Sequence, residues 1–295
     1  MSMALTVASA FNQFDENIKP GQLTWNKVYE RRDAVVKALQ SAFPSTSTIT
    51  YESTKIIGSL GRHTASRPVS DIDLLTHLYV DSDLWNRSYR DNSTDFLYRV
   101  RRSLNGASTV RKIGARGQAV RLFYVDGLEV DVAAVVKYDS GSYGIPDGSG
   151  KWLTTDPVKH ENHLNEINNR VDGDIKKIIR FVKQWNKTHS NHFSSFHLES
   201  LVARTFEWSL GTDSRDALEY FFRHSKGNLS VHDPAGYGGD LSNGMSWTTR
   251  FAAQTAMERA WERAVAANRA EIDGDHKEAL RLWRIILGEK FPTRG

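Results

Sequence analysis

The chain has 295 residues, a net charge of +4, 39% hydrophobic and 25% charged residues, and no cysteine. That composition is ordinary for a globular protein with one large domain or two packed ones, and it excludes disulfides and thiolate zinc sites. No apolar run reaches the ~20 residues of a membrane helix and no signal-peptide pattern opens the chain, so the expected setting is soluble and cytoplasmic.

The first strong periodicity lies at residues 22–43, where Val28, Val35, Val36, Leu39 and Phe43 share a helical stripe that Pro44 ends. Residues 49–57 (ITYESTKII) read as a strand, and a Gly-Ser turn at 58–59 follows. A second strand is expected at 71–80 (DIDLLTHLYV) and a helix at 83–104. AVRLFYV and LEVDVAAVV flank Asp126-Gly127, a type I′ hairpin signal, and residues 139–150 are Gly, Ser and Pro rich and read as a linker or irregular crossing. Beyond them long helices are expected at 160–188, after Ser194-Ser195, at 247–270 and at 275–287. The plan is α+β: a mixed α/β unit at 1–150 with an N-terminal helix, then a helical unit at 151–295.

Chemistry concentrates between Gly58 and Leu75, GSLGRHTASRPVSDIDLL. In a strand, Asp71 and Asp73 project to one face while Ile72 turns to the other. Adjacent carboxylates repel, and a divalent cation lets both stay ionised. The Gly-Ser turn offers backbone N–H groups to a phosphate. If the strand carrying Asp131 lies alongside, three carboxylates converge, enough for two Mg²⁺ ions and an in-line phosphoryl displacement. Glu129 is the local rival of Asp131 for the third place.

No acidic residue falls between Phe96 and Val125, whereas Arg99, Arg101, Arg102, Arg111, Lys112, Arg116 and Arg121 do. Such a block can hold nucleic acid, but without aromatic interleaving it reads first as a solvated face. His63, His77, His160 and His197 read as structural, because metal-assisted phosphoryl chemistry needs no histidine base.

Gly58-Ser59, Arg62, Thr64 and Ser70-Asp71-Ile72-Asp73-Leu74-Leu75 together resemble the polymerase-β-type nucleotidyltransferases. More narrowly they resemble the bacterial CD-NTases, the cyclic-GMP-AMP-synthase-like enzymes of CBASS anti-phage operons. The likeness continues through Trp152–Pro157, His160 and Asn168, through Arg180–Trp185 and Ser195–Glu199, and into Val231–Pro234 and Leu282–Gly288. It implies a nucleotidyltransferase core joined to a helical lobe, with the active site in the cleft between them, and synthesis of a cyclic di- or trinucleotide, with ATP and/or GTP as the expected substrates and hence a purine-containing product.

By the same resemblance Asp71, Asp73 and Asp131 are catalytic and hold two Mg²⁺ or Mn²⁺ ions. Gly58 and Ser59 hold donor phosphates, Arg62 either contacts phosphate or braces the loop, and Lys183 and Ser195 contact the triphosphate from the helical side. Tyr138, Tyr143, Asn162, His163, Asn165 and Asn168 are candidates for base contacts. Without cysteine there is no zinc insert of the kind that grips DNA in the animal sensors, so no obligatory duplex DNA is expected. The terminal Gly295 resembles the tails that an operon-encoded ubiquitin-transferase-like partner conjugates. The rival readings are nucleotide transfer to RNA or a small hydroxyl acceptor, a non-catalytic nucleotide sensor, and a metal-dependent nuclease.

Overall fold

The computed structural model describes residues 6–105, 110–138, 140–171, 174–211 and 213–293. Helices α1 (Val7–Ile18) and α2 (Gln22–Ala42) precede strand β1 (Ile49–Ile57), the single turn α3 (Gly58–Gly61) and strand β2 (Asp71–Val80). The short α4 (Ser82–Leu84) runs into a π-helical turn at Trp85–Tyr89, then α5 (Ser93–Ser103). Strands β3 (Val110–Arg116), β4 (Ala119–Tyr124), β5 (Glu129–Lys137), β6 (Tyr143–Pro146) and β7 (Trp152–Thr155) follow. The remainder is helical: α6 (Pro157–Arg170), α7 (Ile175–Thr188), α8 (Ser195–Thr205), α9 (Ser214–Ser225), α10 (Trp247–Ile272) and α11 (His276–Leu287).

Two compact units emerge. One comprises Pro20–Arg62 and Val69–Val158, the other the described residues of Met1–Lys19, His63–Pro68 and Lys159–Gly295. Relative to the expected division at 150, α1 and residues 63–68 sit with the helices. The reason is apolar: Phe11, Phe14 and Ile18 of α1 are fully enclosed with Phe181, Trp283 and Phe291. The Arg67 N–H donates to the Ile18 carbonyl at 2.6 Å, and Arg180 forks the Asp15 carboxylate at 2.9 and 3.0 Å.

The first unit is built on a mixed sheet of order β1-β2-β5-β4-β3, extended by β6 on β5 and β7 on β6. β1 is antiparallel to β2, β2 parallel to β5, and β5 antiparallel to β4. Ile72, Leu74, Val120, Leu122, Val130 and Val132 are fully buried on one face. The helical unit centres on α7, buried nearly all round through Ile175, Ile178, Ile179, Phe181, Val182 and Trp185. α10 buries Met257 together with Ala253, Ala260, Ala264 and Ala267, and these four small side chains let α9 and α11 approach closely.

Several expected elements divide or change. The helix at 83–104 breaks because Asn92 caps a fresh helix, its side chain accepting from the Asp95 N–H at 3.2 Å. The helix at 160–188 divides where Asp174 caps α7. The Asp-Gly hairpin is not type I′: Gly127 alone has positive φ, +81°, and the Gly127 N–H donates to the Tyr124 carbonyl in a three-residue loop. Strands β3, β6 and β7 and helices α1 and α9 were not legible as elements. Gly295 lies outside the described residues.

Candidate active site

The parallel pairing of β2 and β5 sets Asp71 opposite Glu129 and Asp73 opposite Asp131. Cross-strand partners share a face, so the two halves of the expected carboxylate set stand together, neighbouring strands being about 4.8 Å apart. β4 adds Arg121 opposite Asp131, making a row of Asp73, Asp131 and Arg121 across three strands. Farther along the same face, Leu75, Val135 and Ile145 form a small buried cluster. The carboxylates therefore occupy one end of a face whose middle is packed.

The charges are unevenly balanced. Asp71 is exposed and accepts a hydrogen bond from Ser70 Oγ at 2.5 Å. Asp73 is half-buried, and its carboxyl is pushed up to about 6, by burial first and then by the charges of Asp71 and Asp131. Arg62 and Arg121 oppose that rise. Asp131 is held by Arg121 in a bidentate fork, Nε to Oδ1 at 2.7 Å and Nη2 to Oδ2 at 2.6 Å, while Nη1 reaches Glu129 at 3.0 Å.

The Gly-Ser turn belongs to this constellation sterically. Gly58 has a φ of +65°, and a Cβ there would stand 1.9 Å from Asp73 Oδ2. A Cβ on Gly61 would meet the Ile56 carbonyl oxygen at 2.5 Å, so the turn closes tightly on β1. Ser59 and Arg62 are both half-buried, and the Arg62 N–H donates to the Gly58 carbonyl at 3.1 Å.

The helical unit holds the other expected residues. Lys183 is buried: its ammonium donates to the Glu199 carboxylate, to the Thr64 carbonyl at 3.2 Å and to Thr64 Oγ1 at 3.3 Å. Ser195 is exposed at the first position of α8, whose capping hydroxyl is that of Ser194. His160 pairs with Asp233 at 2.6 Å, and the buried His197 shares a 2.7 Å hydrogen bond with the Leu229 carbonyl. Tyr138 and Tyr143 lie at the far end of β5, about 20 Å along the strand from Asp131 at 3.3 Å per residue. Asn165 accepts a hydrogen bond from Lys176 at 2.8 Å. The basic block is spread over α5, β3 and β4, and its member Arg121 meets the carboxylates.

Among the described residues, no group of three or more His, Asp or Glu side chains is already gathered around a metal-sized space. The donor set nonetheless fits a hard divalent cation: it is all oxygen, and a cation would offset both the burial and the neighbouring negative charges that raise the Asp73 carboxyl. Sequence reasoning missed Arg121 as the partner of Asp131. Their symmetric placement about Asp126 carried that signal, since a hairpin turn makes such residues cross-strand partners.

Known proteins resemble this chain in sequence and fold. Residues 5–168 match the Second Messenger Oligonucleotide or Dinucleotide Synthetase domain family. A probable cyclic nucleotide synthase of Bacillus cereus is 28% identical over 82% of this chain and 84% of its own. A cyclic AMP-AMP-AMP synthase of an Acinetobacter species is 26% identical over 98% of this chain and 86% of its own. The solved structure of the Vibrio cholerae cyclic AMP-GMP synthase DncV with the linear intermediate 5′-pppA(3′,5′)pG superposes with a TM-score of 0.79 at 15% identity. That match covers 99% of this chain and 97% of the other.

Proposed function

The chain belongs to the Second Messenger Oligonucleotide or Dinucleotide Synthetase family and is a nucleotidyltransferase that makes a cyclic oligonucleotide in anti-phage defence; we propose that Asp71, Asp73 and Asp131 are the carboxylates its reaction depends on. The observation that carries the proposal is the strand register, Asp73 beside Asp131 with Asp71 two residues along the same face. The substrates proposed are ATP and/or GTP, and the ions two Mg²⁺ or Mn²⁺ held by the three aspartates.

The bound ions would lower the pKa of the attacking hydroxyl and offset charge on the leaving pyrophosphate. The acceptor oxygen forms a bond to the donor α-phosphorus as the bond to pyrophosphate breaks, and the hydroxyl proton passes to water. Repeated within the linear product, the same displacement closes the ring. Gly58 brings the backbone of the turn against Asp73, and Ser59 and Arg62 are assigned to the donor phosphates. Ser195 and Lys183 are assigned to the triphosphate as well. The sharing of the Lys183 ammonium by Glu199 and Thr64 supports a positioning part in that role.

The test is incubation of pure protein with Mg²⁺ or Mn²⁺ and the four NTPs, phosphatase treatment, and mass spectrometry. A phosphatase-resistant cyclic product absent from Asp71→Ala/Asp73→Ala supports the assignment. An equally active double variant overturns it. Conjugation of Gly295 by an operon-encoded partner is a separate part of the proposal. Intact-mass analysis after co-expression with the neighbouring genes tests it, and the absence of an adduct ends it.

A further inference from the structure

We propose that Arg121 is a built-in counter-ion that competes with the divalent cation for Asp131, so that this side chain sets how tightly the carboxylate row takes up metal. The inference rests on the assignment of Asp71, Asp73 and Asp131 as the metal-holding carboxylates.

Three features carry it. The first is contact: both Asp131 oxygens accept from the guanidinium fork, at 2.7 and 2.6 Å, and the remaining Nη1 takes Glu129 at 3.0 Å. One cation thus engages the two acidic side chains that β5 contributes to the face. The second is position: Arg121 is the direct cross-strand partner of Asp131, as Asp73 is from the other side. Asp131 therefore stands between a positive neighbour and a negative one, and its carboxylate is drawn toward the positive one.

The third is release. The Arg121 side chain is 47% exposed, so water can take over its solvation when the fork opens. The Asp131 side chain is 19% exposed, so the pair is half-buried, and with the arginine side in water it opens at less cost than a fully buried pair, which would have held Asp131 permanently. A divalent ion approaching Asp71 and Asp73 meets an oxygen donor that must first give up its fork, and Arg121 is then free to turn toward phosphate, for which its planar donors are equally suited.

A competing role gives the opposite sign. If Arg121 instead orients Asp131 for the metal, removing it would weaken metal binding. The two roles are separated by measuring Mn²⁺ affinity without nucleotide, by calorimetry and by the electron paramagnetic resonance signal of free Mn²⁺. Wild type is compared with Arg121→Gln, Arg121→Lys, Arg111→Gln and Asp73→Asn, each first checked for an unchanged circular dichroism spectrum.

The expected result for Arg121→Gln is Mn²⁺ affinity about three- to tenfold tighter than wild type, the scale of one partly exposed charge pair. Arg121→Lys, which keeps the charge and loses the fork, should fall between. Arg111→Gln removes a positive charge from the edge strand β3 and should move affinity less than Arg121→Gln. Unchanged or weaker binding in Arg121→Gln overturns the inference. An Asp73→Asn variant that binds Mn²⁺ as well as wild type overturns the underlying metal assignment instead.

Discussion

Gly58 and Asp73 occupy one another's space: a methyl group on Gly58 would fall 1.9 Å from Asp73 Oδ2. Substitution of Gly58 must therefore displace the carboxylate, and at a φ of +65° it also strains the backbone. Gly58→Ala should lower cyclic-product formation at least about 100-fold, because misplacement of reacting groups by an ångström costs that much. Stability should fall by only about 1–3 kcal/mol. Parallel product assays and denaturant unfolding check this, and a fully active variant contradicts it.

Asp73 makes both metal uptake and stability pH-dependent. Its folded pKa of about 6 lies above the ordinary 3.8. The raised value means that the metal-free fold prefers the neutral acid, so this contribution is fully present below pH ~4 and lost as pH rises through about 6. Asp73→Asn should thus be more stable than wild type at pH 8 and close to it at pH 4.5, measured by thermal unfolding without metal. Cation binding needs the ionised form, so wild-type Mn²⁺ affinity should drop about tenfold per pH unit below 6. An affinity flat from pH 5 to 8 would sink this.

The buried pair of Lys183 and Glu199 predicts a stability signature that separates structural from phosphate-binding roles. Lys183→Met leaves Glu199 charged and without its ammonium in the interior, at a cost of about 3–5 kcal/mol. Lys183→Met/Glu199→Met should recover most of that cost in urea unfolding. A Lys183→Met variant that loses activity at unchanged stability would assign Lys183 to direct phosphate contact alone.

Helix α1 is expected to behave as a part of the helical core. Phe14 is fully buried, with ring centroids 5.1 Å from Phe181 and 5.4 Å from Phe291. Phe14→Ala should cost about 3–5 kcal/mol. Unfolding by guanidinium chloride checks it, and a cost below about 1 kcal/mol would show that α1 is not integral to that core.

Strands β1 and β2 were legible to the residue, because turn residues bound them and each is rich in apolar and β-branched side chains. Helices α2 and α11 were legible from their apolar stripes. α1 was not, since its short pattern has its apolar partners, Phe181, Trp283 and Phe291, far along the chain. β6 and β7 were hidden because Gly, Ser and Pro at 139–150 read as a break, and two four-residue strands lack the length to show a period. In the candidate site, Asp71, Asp73 and the Gly-Ser turn stood out together, and Asp131 did through its hairpin. Arg121 was seen only as one basic residue among seven.

The sequence alone determined which residues could share a face: alternation in β2 puts Asp71 with Asp73, and alternation in β5 puts Glu129 with Asp131, because a strand repeats every two residues. The Asp126-Gly127 turn also made β4 and β5 neighbours, but nothing local paired β2 with β5 or set their register, since hydrogen bonding between strands is indifferent to side-chain identity and registry follows from packing of the buried face. Tertiary structure decided that β2 lies parallel to β5 with Asp73 opposite Asp131, and that the Arg121 guanidinium closes on the Asp131 carboxylate as a fork. It also decided that Lys183 lies within the helical unit as an ion pair, because burial of an ammonium requires a partner that periodicity on α7 alone does not specify.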